Sequence, residues 1–204
     1  MRANRVLLPL ALSLIGGAVQ ADLLYTFDAS AQGFTVTSGG ALTHVVSGGN
    51  GHLSVADIDN ADVLLNLPLA SGTTDWSSYL GGTLSLDAAS LNGQAPSWST
   101  FGLLTLTSAT AGSVSFDFVP ETDPTTGWKT YSVQLDVATF GANLSAVLAS
   151  LSSATINLES GNGPIEVVGI DNVRLTSAVP EPQTWAMGLA GLALIGALRR
   201  RARG

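Results

Sequence analysis

Three aspartates in one short polar segment are the residues of this chain best suited to binding a metal ion. Asp57, Asp59 and Asp62 lie within the sequence ADIDNAD, and hard cations such as Ca²⁺ prefer carboxylate and carbonyl oxygens. An EF-hand loop would need glycine and glutamate where Asp62 and Pro68 stand. The alternative is that these carboxylates are solvated and hydrogen-bond the backbone of their own turn.

Residues for nucleophilic catalysis are scarce. The chain has no cysteine and no Gly-x-Ser-x-Gly motif, and its bases are two histidines, His44 and His52, and a single lysine, Lys129. A serine nucleophile needs an adjacent base. The two histidines flank a glycine-rich turn, where two exposed strand residues are the simpler interpretation.

A glycosidase-type pair of carboxylates has no spacing pattern, because two acids can meet in space from distant positions in the chain. The glutamates of the body are Glu121, Glu159 and Glu166, and two of them lie next to Pro120 or near Pro164 in turn-like contexts. We therefore expect a non-catalytic protein. A secreted glycan-active or peptide-active hydrolase is the alternative.

Aromatic residues in polar segments are candidates for contacts with carbohydrate. Trp76, which is close to Tyr79, and Trp98 lie in loop-like stretches, where the apolar face of a ring can stack on a sugar. For Trp98 the alternative is a ring folded back over the rim of the core.

Alternating apolar residues predict that β-strands carry these side chains. Glycine and asparagine clusters at residues 47–51, 81–82 and 161–164 separate the alternating runs. About ten to twelve short strands are expected. The clearest runs with a period of two are HLSVAD, TLSLDA, LLTLTS, SVSFDFV, TYSVQL, TINLE and IDNVRL.

One segment has helical spacing instead. Leu144, Val147, Leu148 and Leu151 stand at i, i+3, i+4 and i+7, which predicts one short helix with a single apolar face. The expected architecture is therefore all-β, a β-sandwich with one short crossover helix. A signal-peptide helix and a C-terminal transmembrane helix are expected on either side of it.

The first 21 residues have the organisation of a secretory signal peptide. Arg2 and Arg5 precede an apolar run that ends in Ala18-Val19-Gln20-Ala21, a small-x-small cleavage pattern. Pro9 interrupts this run, which is short for a membrane span of about 20 residues. We expect export through the secretion translocon and cleavage after Ala21 by signal peptidase.

The last 26 residues, 179–204, are arranged in three blocks. A proline-rich segment comes first, then an uncharged apolar stretch at 183–198 that would be roughly 24 Å long as a helix. The third block contains Arg199, Arg200, Arg201 and Arg203. Their side chains can extend to the membrane interface and favour the cytoplasmic side. The alternative is that this apolar helix packs into the domain.

The order of these blocks resembles the PEP-CTERM sorting signal of Gram-negative bacteria that make exopolysaccharide. The resemblance rests on Val179, Pro180, Glu181 and Pro182, followed by one apolar span and terminal arginines. It implies that exosortase, a membrane-embedded cysteine peptidase-transpeptidase, recognises residues 180–182 and removes the span. The body would be anchored briefly in the inner membrane and then reach the cell surface or the extracellular matrix. An uncleaved single-span surface sensor is the alternative.

Without both ends, residues 22–178 form a body of ordinary single-domain size. This body has fourteen acidic residues, but only Lys129 and Arg174 are basic, so its net charge is about −12. Nucleic acid is excluded as a partner because its affinity for proteins depends on lysine and arginine, and anionic lipid is excluded by the same argument. Since the chain has no disulfides, its stability must come from the core.

The body also resembles the laminin B (domain IV) type of jelly roll. LLYTFDASAQGFTV is similar to its opening strands, and the region from GWKTYSVQLD to VVGIDNVRL is similar to its C-terminal half. The resemblance implies a carbohydrate-binding-module-like sandwich from a mainly structural and adhesive family without catalytic residues. It also implies that Trp128 is packed inside the sandwich. In such folds the first and last strands often share a structural Ca²⁺, for which Asp28 and Asp171 are the candidates.

These observations predict an exported, non-catalytic surface or matrix protein in an exopolysaccharide or biofilm context. Its adhesion to polysaccharide would use the loop aromatics Trp98, Trp76 and Tyr79. A carbohydrate-binding module proper is a further alternative.

Overall fold

The structure, a computed structural model, describes residues 21–178 except 38, 70–73 and 98–99. The signal peptide, the sorting motif Val179–Pro182, the expected span at 183–198, the terminal arginines and Trp98 lie outside this part. The described elements are β1 (Leu23–Tyr25), β2 (Thr35–Val36), β3 (Gly40–Ser47), β4 (Asn50–Asp57), β5 (Leu64–Asn66), β6 (Thr83–Ser90), β7 (Leu103–Ser108), β8 (Gly112–Asp117), β9 (Lys129–Gln134), α1 (Val137–Phe140), α2 (Leu144–Leu148), β10 (Leu151–Asn157) and β11 (Val167–Thr176).

The strands form two antiparallel sheets. Sheet A has the order β3-β4-β11-β6-β9, with β1 paired to the C-terminal part of β11, and sheet B has the order β2-β5-β10-β7-β8. Buried apolar residues of both sheets belong to one core cluster. This arrangement confirms the predicted all-β, jelly-roll-like sandwich.

Burial follows the period of two that the sequence shows. In β7, Leu104 and Leu106 are fully buried, whereas the intervening Thr105 is partly exposed. In β4, Leu53 and Val55 are buried in the same alternating manner. Because side chains alternate along a strand, a shift of one residue in register would move a whole apolar set into water. Each leucine or valine exposed in this way would cost about 1.5–3 kcal/mol.

The predicted helix is shorter than expected. Leu144, Val147 and Leu148 are buried on one face of α2, as their spacing predicts. Leu151, however, begins β10 and pairs with Ser108 of β7. The last position of the apolar pattern is therefore a strand residue, because its backbone is used in sheet B.

A second short helix, α1, was not predicted. It follows Asp136, whose side chain accepts a hydrogen bond from the backbone N–H of Thr139 at 2.8 Å. Such an N-cap stabilises a helix start. With four residues, α1 is too short to show apolar periodicity. Within the described residues, no helix is long and apolar enough to span a membrane.

The β3–β4 hairpin packs closely against the segment after β1. Its two-residue turn consists of Gly48 and Gly49, with φ of 64° and 89°, which suits a hairpin turn that needs positive φ at both positions. The backbone N–H of Gly51 donates to Asp28 Oδ1 at 3.3 Å. A Cβ at position 51 would collide with the carbonyl oxygen of Phe27.

We predict that Gly51→Ala lowers the free energy of unfolding by about 1–3 kcal/mol, the usual cost of overpacking. The neighbouring atoms are backbone, which cannot move aside cheaply. Gly127→Ala is the control, because a Cβ there meets no atom within 4 Å. Chemical denaturation measures both variants, and equal unfolding midpoints would contradict the predicted contact.

Candidate functional site

An exposed tryptophan lies on the outer face of sheet A. Trp128, which is 45% exposed, precedes β9. Its ring makes an edge contact with His52, with centroids 5.5 Å apart. It also covers Gly169, where a Cβ would be 2.6 Å from Trp128 Cη2. The expectation that Trp128 packs inside the sandwich is wrong, because Tyr131 and Val133 fill the inward positions of β9.

A row of polar side chains crosses sheet A beside this ring. Thr130 of β9 is paired with Asp87 of β6, and Asp87 is paired with Asp171 of β11. Ile170 pairs with Leu53, so His52 is the neighbour of Asp171 on β4. We call Trp128, His52, Thr130, Asp87 and Asp171 the Trp128 face.

Hydrogen bonds hold the two aspartates of the Trp128 face in place. Asp87 accepts from Thr130 Oγ1 at 2.5 Å and from Asn172 Nδ2 at 2.8 Å. Asp171 accepts from the Asn172 backbone N–H at 2.6 Å and from Asn50 Nδ2 at 3.4 Å. Burial raises the pKa of Asp171 and the Asp87 charge adds to this, while the two hydrogen bonds lower it. The face therefore offers one oriented and half-buried carboxylate, Asp87, next to an apolar ring, while Asp171 is 5% exposed.

The outer face of sheet B has a different character. One register row crosses all five of its strands and contains only hydroxyl and amide side chains, namely Thr35, Asn66, Thr155, Thr105 and Ser115. This row has no aromatic ring to stack on a ligand, so the Trp128 face is the stronger candidate for carbohydrate.

Three buried carboxylates meet where the two sheets adjoin. Asp57 ends β4 and Glu166 precedes β11, both of sheet A, whereas Glu159 follows β10 of sheet B. One oxygen from each lies within 4.8 Å of the others. The three residues are 7%, 3% and 7% exposed, respectively. We call them the acidic cluster.

Backbone N–H groups position two of these side chains. Asp57 Oδ1 accepts from Asp59 at 3.2 Å, and Glu166 Oε1 accepts from Ser160 and from Gly161, both at 3.0 Å. Three further oxygens are buried and have no hydrogen-bond partner within the described residues: Asp57 Oδ2, Glu159 Oε2 and Glu166 Oε2.

Burial and mutual repulsion disfavour the charged form of the cluster. Burial raises the pKa of Glu159 to about 7, and the charges of Glu166 and Asp57 contribute to this rise. Burial also raises the pKa of Asp57, against the lowering effect of the Asp59 N–H. An unpaired buried carboxylate is costly, so either a proton or a cation would stabilise the cluster.

A cavity of about 170 Å³ opens beside Glu159. Its lining is rich in oxygen-bearing groups and consists, besides Glu159, of Asn60, Asp62, Gly161, Asn162 and Gly163. The cavity is large enough for a small hydrated ion.

The three loop aspartates predicted as metal ligands have separate environments. Asp57 belongs to the acidic cluster, and Asp62 lines the cavity. Asp59 Oδ1 accepts from the Ala61 N–H at 2.7 Å. For Asp59 the structure therefore shows the alternative, in which the carboxylate hydrogen-bonds the backbone of its own turn. Glu159 and Glu166, which complete the cluster, were not predicted as ligands. They come more than a hundred residues after Asp57, and only strand pairing brings them together.

Asp28 and Asp171 both contact the start of β4, through Gly51 and Asn50 respectively. Asp28 Oδ2 also accepts from Thr26 Oγ1 at 2.8 Å. Within the described residues, the acidic cluster is the one group of three or more converging metal-ligand side chains. A calcium ion shared by Asp28 and Asp171 stays a prediction.

Trp76 and Tyr79 are buried in the core, with ring centroids 6.0 Å apart. Their side chains are 4% and 1% exposed, and both residues line a cavity of about 240 Å³. Their contact with glycan stays a prediction. A 3-10 turn at Ser77–Tyr79 folds this polar segment over the core. Trp98 lies outside the described residues, and its contact with glycan stays a prediction.

The two histidines lie on opposite faces of sheet A. His52 is paired with Val45, whereas His44 is paired with Leu53, so side chains at positions 44 and 52 point in opposite directions. The ring of His44 forms a hydrogen bond with the carbonyl of Phe27. The two residues therefore do not form a joint site.

The folded body is similar to solved carbohydrate-binding modules. The family 30 module of cellulosomal cellulase Cel9D-Cel44B of Clostridium thermocellum is 15% identical with a TM-score of 0.59, over 79% of this chain and 100% of that one. The family 11 module of Lic26A-Cel5E from the same organism is 13% identical with a TM-score of 0.50, over 79% and 98%. An exo-beta-agarase is 15% identical with a TM-score of 0.57, over 80% of this chain and 26% of the enzyme. At these identities the likeness shows the fold alone.

The C-terminal segment gives a match of a different kind. Residues 178–202 match the PEP-CTERM protein-sorting motif. The chain carries a PEP-CTERM sorting signal. This match confirms the sorting signal that the order of the three terminal blocks predicted. The sequence has no match among curated proteins.

The position of the Trp128 ring can be tested through Gly169. We predict that Gly169→Ala displaces the indole and lowers the free energy of unfolding by about 1 kcal/mol or more, since the new Cβ would be 2.6 Å from Trp128 Cη2 and 2.9 Å from Leu91 Cδ2. The cost should be smaller in a Trp128→Ala background. Denaturation of the single and double variants measures this coupling, and an equal cost in both backgrounds would contradict the packing.

Proposed function

We propose that this protein is an exported, non-catalytic surface or matrix protein that binds polysaccharide on its Trp128 face. The observation that carries the proposal is an exposed indole fixed over Gly169, beside a row of hydrogen-bonding side chains. The carbohydrate-binding-module-like fold agrees with it, because such a sheet presents side chains on a broad outer surface.

The chemistry of the Trp128 face fits a sugar. A pyranose ring has an apolar face of C–H groups that can pack on Trp128, while its hydroxyl groups can donate to carboxylates. Asp87, which is half-buried, supplies such an acceptor, whereas Asp171 is only 5% exposed and lies beneath the surface beside it. A few directed polar groups around an apolar contact are typical of small-ligand sites. His52 adds a ring at the edge of the same surface.

Charge narrows the class of polysaccharide. The body has a net charge of about −12, and two carboxylates stand side by side on the Trp128 face. Sulfated or uronic-acid polymers would be repelled by this field. A neutral hexose or pentose polymer is therefore the expected ligand.

The structural relatives give independent support. Two of them are named as carbohydrate-binding modules of cellulases, and the third is an exo-beta-agarase of which about a quarter is covered. From these relatives we infer only that the ligand is a carbohydrate. The choice of Trp128 and the polar row beside it rests on the structure of this chain.

The sorting signal supports the cellular route. After export, exosortase would recognise residues 180–182 and remove the apolar span, releasing the body to the surface or matrix of a Gram-negative cell. Pro180 and Pro182 each restrict φ and bias the preceding residue towards an extended backbone. The motif would thus stay extended and accessible outside the membrane.

Binding is tested by affinity electrophoresis in gels that contain neutral polysaccharides, including xylan, mixed-linked β-glucan and agarose. We expect Trp128→Ala to weaken retention roughly tenfold, because a buried aromatic contact at a binding site typically contributes more than 1 kcal/mol. Phe116→Ala is the matched control, since Phe116 is a similarly exposed ring on β8 of sheet B. Unchanged retention of Trp128→Ala, or release of reducing ends by the wild type, would contradict the proposal.

Sorting is tested in cells of the source organism by replacing Pro180, Glu181 and Pro182 together with alanine. The helix can then extend outward, and full-length precursor should accumulate in the membrane fraction, whereas the wild-type body reaches the medium or surface. Ser177→Ala, just outside the matched residues, is the control. Normal processing of the triple variant on immunoblots would show that the motif has no such role.

A further inference from the structure

We propose that Asp57, Glu159 and Glu166 bind one calcium ion that links the two sheets of the sandwich. The proposal is independent of the Trp128 face. It rests on one carboxylate oxygen from each residue converging within 4.8 Å and on their burial of at least nine-tenths.

The unpartnered oxygens are the decisive feature. Asp57 Oδ2, Glu159 Oε2 and Glu166 Oε2 are buried and accept no hydrogen bond from the described residues. Buried polar atoms in proteins nearly always have a partner, and three missing partners at one point call for a common one. A cation between these carboxylates would serve all three oxygens and offset their mutual repulsion.

The donor set selects the class of metal. All three candidate ligands are carboxylates, and the chain contains no cysteine, so the nitrogen and sulfur ligands that zinc prefers are not in the cluster. Mg²⁺ usually keeps several waters and binds through one or two carboxylates. Ca²⁺ accepts six to eight oxygens in flexible geometry, which suits three carboxylates beside an oxygen-lined cavity.

The surroundings are prepared for such an ion. Glu166 is held by the N–H groups of Ser160 and Gly161 through its other oxygen, so its free oxygen has a fixed position. Asp57 is held in the same way by Asp59. The cavity beside Glu159, lined by Asn60 and Asp62 among others, can supply further oxygens or waters.

An ion at this position would stabilise more than the three ligands. Asp57 and Glu166 extend from sheet A and Glu159 from sheet B, so the ion would link β10 to β4 and β11, with which β10 does not pair. The loop before β7 is attached to the same region, because Ser97 N–H donates to the Ser160 carbonyl at 2.7 Å and Thr100 Oγ1 donates to the Glu159 carbonyl at 3.4 Å. Calcium would therefore also help to hold Ser97 and Thr100 in place.

The first experiment measures thermal unfolding of the full chain in detergent, after treatment with a chelator and then with added CaCl₂ or MgCl₂. At a hundredfold excess over Kd, Ca²⁺ should raise Tm by about 5–10 °C, and Mg²⁺ should raise it less. Isothermal titration with CaCl₂ should show at least one site. The absence of a calcium-dependent Tm shift in the wild type, or an equal shift with Mg²⁺, would overturn the proposal.

The second experiment assigns the site. Glu159→Gln and Glu166→Gln keep side-chain shape and an amide oxygen but remove one charge each, and they should raise Kd for Ca²⁺ at least tenfold. When calcium is removed with a chelator, both variants should be at least as stable as the wild type, because each has lost one repulsive charge. This comparison distinguishes a loss of calcium binding from misfolding. Glu121→Gln, at an exposed glutamate, is the control. Wild-type calcium affinity in both cluster variants would overturn the assignment.

Discussion

The burial of two apolar sheet faces against each other is the interaction on which the rest of the structure depends. With no cysteine in the chain, no disulfide shares this role, and one core cluster contains residues of both sheets. Because side chains alternate along a strand, filling the core with residues such as Leu86 and Ile170 commits their neighbours Asp87 and Asp171 to the outer face. The polar row of the Trp128 face is thus a direct consequence of core packing.

The acidic cluster is the exception to this apolar interior, because its three carboxylates are buried where the two sheets adjoin. Asp57, Glu159 and Glu166 are as buried as many core residues, yet each retains an oxygen that has no hydrogen-bond partner among the described residues. A sandwich that only needed stability would place apolar side chains there, since these are often at least as stabilising as buried ions. Features that break the local rules of folding tend to mark functional sites.

The sequence predicts the fold much better than it predicts the sites. Strands such as β7 are evident because Leu104 and Leu106 alternate with threonines, and a period of two is a local property. The sites depend on pairing between distant strands: Asp87 meets Asp171, and Asp57 meets Glu166, only through the register of β11 with β6 and β4. Trp128 was expected to be buried and is exposed, whereas Trp76 was expected to be exposed and is buried. The burial of a ring depends on the residues that it packs against, such as Gly169 beneath Trp128, and these are distant in the sequence.

The most direct test of the Trp128 face is an NMR titration of ¹⁵N-labelled protein with a neutral oligosaccharide. We predict that the Trp128 indole N–H and the amides of His52 and Asn172 shift on binding, while the amides of Thr105 and Thr155 on sheet B do not. Shifts confined to the threonine row of sheet B, with the indole N–H unchanged, would contradict the proposed binding surface.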